Sequence, residues 1–290
     1  MDSTTFTPAR VADLFTEHAQ PLSFEMFPPK GDLSEAEAER VTSELASLNP
    51  AFISVTCSAG GSGNGEATTR IASMIQTDRA TTSVAHLTCQ GLTRAALEEK
   101  MAAFKEAGIR NVLALRGDPR PDLAPGDFAS STDLIPVLAE AGFCVGAAVY
   151  PEGHISCTNL EDDVAFLRTK QDAGASFLVT QLFFDNEDFY RFRDLAERAG
   201  ITAPITCGIM PFMSKSQVSR MIFMCGASLP SPIIRLLAKY EGDDVALRQA
   251  GVDYAAMQLR DLRDNDADGL HIYAMNRPEV ARALADAVRS

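Results

Sequence analysis

Short apolar or β-branched runs, too brief for helices, alternate along this chain with amphipathic segments of helical length. The strand-like runs are Leu22–Phe27, Phe52–Cys57, Ser83–Cys89, Asn111–Arg116, Cys144–Tyr150, Phe177–Phe184, Ile205–Pro211 and Gly269–Met275, recurring roughly every 30 residues. Between them lie SEAEAERVTSELASL, TRAALEEKMAAFKEAG, NLEDDVAFLRTKQDAG and NEDFYRFRDLAERAG. These start on small, polar or acidic residues, and several close near a glycine. Strands alternating with helices imply right-handed crossovers and parallel pairing, and eight such units are the number that closes a ring. The pattern predicts an α/β protein, a single (β/α)8 TIM barrel over residues 1–290, with a helical insertion at about 228–268. A doubly wound open sheet competes, but the GxGxxG fingerprint that supports nucleotide binding there is missing.

Composition narrows the classes. Hydrophobic residues at 46% and charged residues at 22% are ordinary globular usage and exclude disordered or low-complexity chains. A formal charge of −13, from 26 basic and 39 acidic residues, repels phosphate backbones and anionic bilayers, so neither nucleic acid nor a membrane is an expected partner. No apolar run approaches the roughly 18 residues needed to span a bilayer, and MDSTTFTPARVADLF has no signal-peptide pattern, which predicts a cytoplasmic protein. Six scattered cysteines without a CxxC pair predict reduced thiols and no zinc knuckle.

In a barrel, chemistry gathers at the C-terminal ends of the strands, and those positions here are unusually polar. They include Glu25, Thr56, His86 with Thr88, Arg116-Gly117-Asp118, Tyr150 followed by Glu152 and His154, Thr180-Gln181, and Asn276-Arg277. Glu25 sits between Phe24 and Met26, so on a period-two strand it points opposite to both, toward the lumen or its mouth. Partial desolvation there raises a carboxyl pKa and makes a general acid; pairing with a lumen cation would make the same residue structural. His86 is either a satisfied core histidine or a ligand contact, and without HxH or HExxH spacing no metal site is expected. His154 is either a solvated loop residue or part of the site. Asp163 and Lys170, seven apart on one helix, share a face that suits a polar ligand or ordinary surface charge. Gly60-Gly61-Ser62-Gly63-Asn64-Gly65 lacks the Lys-Ser/Thr ending of a P-loop and reads as a flexible loop or a phosphate contact.

Taken together, SFEMFPPK, FISVTCSAGGSG, AHLTCQG, GIRNVLALRGDPR, AAVYPEGH, DAGASFLVTQLFFD, GIMPFMSKSQ and GLHIYAMNR resemble methylenetetrahydrofolate reductases of the bacterial, catalytic-domain-only type. The resemblance runs from Ser23 to Arg277. It implies a homo-oligomeric barrel holding FAD noncovalently, reduced by NADH or NADPH, that converts 5,10-methylenetetrahydrofolate to 5-methyltetrahydrofolate. On this resemblance Glu25 matches the acid that protonates N10, and Asp118 the aspartate between flavin and pterin. Thr56, Ala59, His86, Arg116, Gly117, Asp118, Ala129, Tyr150, His154, Asp163 and Lys170 match flavin contacts, with Lys170 offsetting pyrophosphate charge. Gln181, Gln217 and Arg277 match folate or nicotinamide positions. Cys57, the glycine-rich loop, Phe166 and Thr169 depart from the family pattern, and some relatives work without flavin. Met221 stands where a phenylalanine often stacks on substrate, so stacking falls to its thioether or to a neighbour such as Phe212. Two other readings stay open: a lyase or aldolase barrel, disfavoured by the lack of a strand lysine for a Schiff base, and a noncatalytic binding barrel.

Overall fold

The computed structural model describes residues 6–28, 35–57, 65–118 and 124–290. The elements run α1 (Val11–Glu17), β1 (Leu22–Met26), α2 (Glu35–Ala46), β2 (Phe52–Val55), α3 (Gly65–Thr77), β3 (Ser83–Thr88), α4 (Arg94–Glu106) and β4 (Asn111–Leu115). They continue with α5 (Ser131–Glu140), β5 (Cys144–Val149), α6 (Leu160–Asp172), β6 (Ala175–Thr180), α7 (Asn186–Arg198), β7 (Ile205–Ile209), α8 (Lys215–Cys225), α9 (Ser231–Lys239), α10 (Asp244–Asp264), β8 (Gly269–Tyr273) and α11 (Pro278–Arg289). All eight strands pair in parallel and in sequence order, and β8 closes onto β1, so the barrel expected from the pattern is the barrel found.

Period-two alternation divides each strand between two interiors. Phe24, Met26, Ile53, Val55, Val112, Ala114, Ile205, Cys207, Leu270 and Ile272 face outward into one continuous core shared with the helices. Phe52, Val84, Leu113, Phe177 and Val179 fill the lower lumen together with Val11 and Leu14 of α1. That short helix plugs the N-terminal end, its Val11 N–H donating to the buried Asn111 Oδ1 at 2.9 Å. The plug leaves the C-terminal end as the open one.

Gly146 makes the lower lumen possible, because a Cβ there would stand 2.3 Å from the ring of Phe177. Phe177 is fully buried, so the ring has nowhere to retreat. Gly146→Ala is expected to lower stability by about 1–3 kcal/mol, read as a fall in the urea midpoint at constant slope. An unchanged midpoint would show that the lumen relaxes.

Each strand ends one to four residues before its expected run does, the most at β6. β6 ends at Thr180, short of Phe184, because Leu182 and Phe184 pack with Met210, Phe212 and Ile233 in a separate apolar cluster above the barrel. The anticipated insertion contains a ring helix: α10 packs on β7, β8, α7 and α11, as the other crossover helices pack on their strands, while α8 and α9 are the additional elements. Among the described residues no helix is long and apolar enough to cross a membrane.

Candidate active site

The open end of the barrel holds a cavity of about 790 Å³. Glu25, Thr56, His86, Arg116, Gly117, Asp118, Tyr150, His154 and Gln181, nine of the residues singled out from sequence, line it together. Phe27, Met221 and Met224 add apolar surface, so the lining suits a ligand with a broad unsaturated face and polar edges.

Glu25 lies on the floor of this cavity with its side chain 20% exposed. Its register partners are Ser54 on β2 and Tyr273 on β8, which sets three polar side chains in one lumen layer. Glu25 Oε2 is 3.6 Å from His86 Nε2 and 4.0 Å from His271 Nε2. His86 Nε2 is buried and has no hydrogen-bond partner. Burial depresses the His86 pKa against the opposing pull of Glu25, so His86 is neutral at physiological pH. The Tyr273 hydroxyl donates to Thr180 O at 2.6 Å, and burial with the nearby Glu25 raises its pKa well above the usual phenol value. This bond needs Gly208, where a Cβ would meet Tyr273 Oη at 2.5 Å.

A second layer supports one wall. Tyr150 and His154 meet edge to face with centroids 4.6 Å apart, and burial with Asp163 close by pushes the Tyr150 pKa up to about 12. Asp163 is buried and accepts from the His154 N–H at 3.2 Å and from Cys157 Sγ at 3.3 Å. Lys170 is also buried, donating to Ala148 O at 2.8 Å with Nζ 5.7 Å from the Tyr150 ring centroid. The shared helix face of Asp163 and Lys170 is thus turned inward, behind the wall rather than along it. Burial lowers the Lys170 pKa, opposed by Asp163.

The remaining candidates fall elsewhere. Gln217 is buried, its Oε1 accepting from the Met213 N–H at 2.7 Å and its Nε2 lying 2.9 Å from Met275 Sδ. Arg277 is the N-cap residue of α11, and Ala129 donates its N–H to Asp133 Oδ2 at 2.8 Å just before α5; neither lines the cavity. Ala59 and most of the glycine-rich loop lie outside the described residues. Phe212 is 1% exposed, so of the two stacking candidates Met221 is the one on the cavity. Asn276 exchanges two hydrogen bonds with the Phe27 backbone and ties the ends of β1 and β8 together.

His271, Tyr273 and Arg220 belong to the site or its floor but are absent from the sequence candidates. For His271 and Tyr273 a signal exists. They alternate with Leu270 and Ile272 in GLHIY as Glu25 alternates with Phe24 and Met26, so the same period-two rule points them into the lumen.

Two features of the cavity suit a flat, polar-edged ring. Gly117 sits at φ +86°, and a Cβ there would come within 3.1 Å of Thr88 Cβ and 3.3 Å of Gln90 Cβ, so bare backbone faces the cavity at that edge. The unpartnered His86 Nε2 offers a ring nitrogen, and Arg116 and His154 offer further polar contacts.

A closed parallel barrel plugged at one end, with a partly buried carboxylate under a wide cavity at the other, defines a ligand-binding (β/α)8 barrel. A family profile described as methylenetetrahydrofolate reductase matches residues 10–289. Methylenetetrahydrofolate reductase 2 of Schizosaccharomyces pombe is 34% identical over 283 residues, an alignment covering 91% of this chain and 44% of that protein, so this chain spans less than half of the yeast relative. The 5,10-methylenetetrahydrofolate reductase of Pectobacterium carotovorum is 33% identical over 265 residues, covering 91% of this chain and 88% of the bacterial protein. A solved structure, an uncharacterized protein from Clostridium thermocellum that binds two copies of 5-methyl-5,6,7,8-tetrahydrofolic acid, superposes with a TM-score of 0.65 over 96% of this chain and 98% of its own; at 12% identity this is a likeness of fold. The chain belongs to the methylenetetrahydrofolate reductase family.

Proposed function

We propose that this chain reduces 5,10-methylenetetrahydrofolate to 5-methyltetrahydrofolate, using NADH or NADPH through bound FAD, as one barrel domain in a homo-oligomer. Family membership supports the reading, and one structural observation carries it: Glu25 shares a cavity with Asp118 and Gln181, under an apolar edge formed by Phe27 and Met221. In this reading Thr56, His86, Arg116, the bare backbone at Gly117, Tyr150 and His154 hold the flavin. Bound flavin supplies hydride transfer, from nicotinamide inward and to the substrate's methylene carbon outward.

The chain's own part is proton management and positioning. Opening the substrate's five-membered ring breaks the bond between N10 and the methylene carbon, and the electron pair left on N10 takes a proton. Glu25 is the group on the cavity floor suited to give it. Gln181 and Asp118 stand on the same cavity to hydrogen-bond pterin edges, and the negative charge of Asp118 favours the positive iminium that ring opening leaves at N5. Phe52 and Phe177 meet edge to face and pack the lower lumen with apolar surface.

An anaerobic absorbance titration tests this. The purified protein is expected to show a bound-flavin spectrum that NADH or NADPH bleaches and 5,10-methylenetetrahydrofolate restores. A protein that takes up no flavin, or whose reduced flavin the folate does not reoxidise, would overturn it.

A further inference from the structure

Helix α8 brings Met221 and Met224 to the cavity, yet little holds its far end. Its buried residues are Gln217 and Val218, both in the first turn, where Ser214 Oγ accepts from the Gln217 N–H at 3.1 Å and Gln217 in turn holds the Met213 N–H. From Ser219 to Leu229 only Ala227 is buried. Among the described residues, the hydrogen bonds that tie this stretch to a distant part of the chain all come from Ser228. Its backbone N–H, at 2.8 Å, and its hydroxyl both donate to Glu152 Oε2 on the loop after β5. The two loops also touch beside this contact: a Cβ placed on Gly226, the C-cap of α8, would stand 3.7 Å from Ile155 Cβ. The loop of Glu152 is firm by contrast. Gly153 N–H donates to Tyr150 O at 2.9 Å, Cys157 N–H to His154 O at 2.7 Å, Ser156 N–H to His154 Nδ1 at 3.0 Å and His154 N–H to Asp163 Oδ2 at 3.2 Å. Tyr150 and His154, on either side of Glu152, line the cavity, while the reaction as described gives Glu152 no part.

We propose that Glu152 is a positioning residue: its carboxylate latches the loose end of α8 to the firm loop after β5, and so sets where Met221 and Met224 stand against bound substrate relative to the wall of Tyr150 and His154. This deepens the function proposed above and rests on it for the identity of the substrate. One carboxylate oxygen that takes two donors from a single residue fixes the direction of approach as well as the distance, which one bond would not. Without the latch, α8 keeps its capped and buried first turn and pivots there. Met224 lies about 9 Å along the helix from Val218 by the ordinary rise per residue, so a small tilt displaces it most and Met221 less. The wall of Tyr150 and His154 does not follow, because Asp163 and the loop's own backbone bonds hold it. Loss of the latch therefore opens the side of the cavity made by α8 and leaves the opposite wall in place.

Methyl NMR of the protein labelled at methionine tests the latch without any reaction. In E152A the signals of Met221 and Met224 are expected to shift or broaden, while those of the buried Met26 and Met74 stay where they are. Unmoved Met221 and Met224 signals overturn the proposal. The kinetic arm uses the flavin-loaded protein and follows the folate half-reaction by anaerobic stopped-flow absorbance. In E152A the half-saturating concentration of 5,10-methylenetetrahydrofolate is expected to rise about five- to tenfold, with the limiting rate changed less than about threefold. A lower limiting rate at unchanged half-saturation marks a merely structural role and overturns the proposal. Glutamine offers one oxygen to the same two donors, so E152Q is expected to return half-saturation to within about twofold of the unaltered chain, and a variant as poor as E152A overturns the latch. S228A keeps one donor of the two and is expected to cost about two- to threefold, with E152A/S228A no worse than E152A alone. Should E152A not fold, S228A carries the test, and unmoved half-saturation and methyl signals there overturn the proposal equally. Absence of the folate half-reaction in the unaltered chain instead defeats the functional reading, and the methyl signals still decide the latch.

Discussion

Replacing Glu25 by glutamine is expected to slow reduction of 5,10-methylenetetrahydrofolate by about 10²- to 10⁴-fold, the range for loss of a general acid, while NADH still reduces the flavin within about twofold of the normal rate. The substitution keeps the side chain's length and its reach to His86 Nε2 and His271 Nε2, at 3.6 and 4.0 Å, but leaves no acidic proton. Only one half of the reaction needs such a proton, because hydride passing from nicotinamide to flavin does not open the folate ring. The two halves are measured separately by anaerobic stopped-flow absorbance, and the flavin spectrum of the variant shows whether the cavity still forms. If both half-reactions persist, Glu25 is not the acid. Loss of both with flavin still bound would place Glu25 in flavin reduction and sink the assignment as surely.

The strands were legible because each is a short apolar run bounded by polar or turn residues, and the barrel followed from their number and alternation with helices. β6 shows where that reasoning stops. Phe177–Phe184 reads as one strand, yet its first half faces the lumen and the ring of helices while Leu182 and Phe184 face a cluster with α9 and α10. Hydrophobicity reports burial and not the partner that provides it. Glu25 stood out for a related reason, as a charge at a period-two position among apolar neighbours. His271 obeys the same rule but reads as a core histidine until Glu25 and Ser23 are seen beside it. Spacing alone puts Asp163 and Lys170 on one face of α6 without revealing that the face is buried behind Tyr150. Gln217, which the resemblance matches to a folate or nicotinamide position, accepts from the Met213 backbone N–H and lies beside the sulfurs of Met210 and Met275, contacts that its place in the sequence does not announce.

Gly251→Ala is expected to destabilise the protein although it replaces the poorest ordinary helix former with the best. In an exposed helix interior the change would add about 1 kcal/mol. Gly251 instead lies buried in the middle of α10, where a Cβ would stand 1.8 Å from Phe212 O and 2.8 Å from Phe212 C. Those are backbone atoms of the segment leaving β7, so no rotamer change relieves the overlap. Nor can Phe212 withdraw freely: its ring is 1% exposed and packs 6.1 Å from that of Tyr254, whose hydroxyl donates to Phe184 O at 2.7 Å. Forced overpacking of this kind costs about 3 kcal/mol or more, which outweighs the propensity gain and leaves a net loss of about 2 kcal/mol. Urea denaturation measures it as a lower midpoint with the slope unchanged. The displacement also reaches the site, because Met213 follows Phe212 and its N–H is held by Gln217 on α8, the helix that carries Met221 to the cavity. The variant is therefore expected to bind folate more weakly as well as unfold more easily. A raised midpoint would mean that α10 slides away from the β7 loop at little cost, and that α8 is not held in place by this contact.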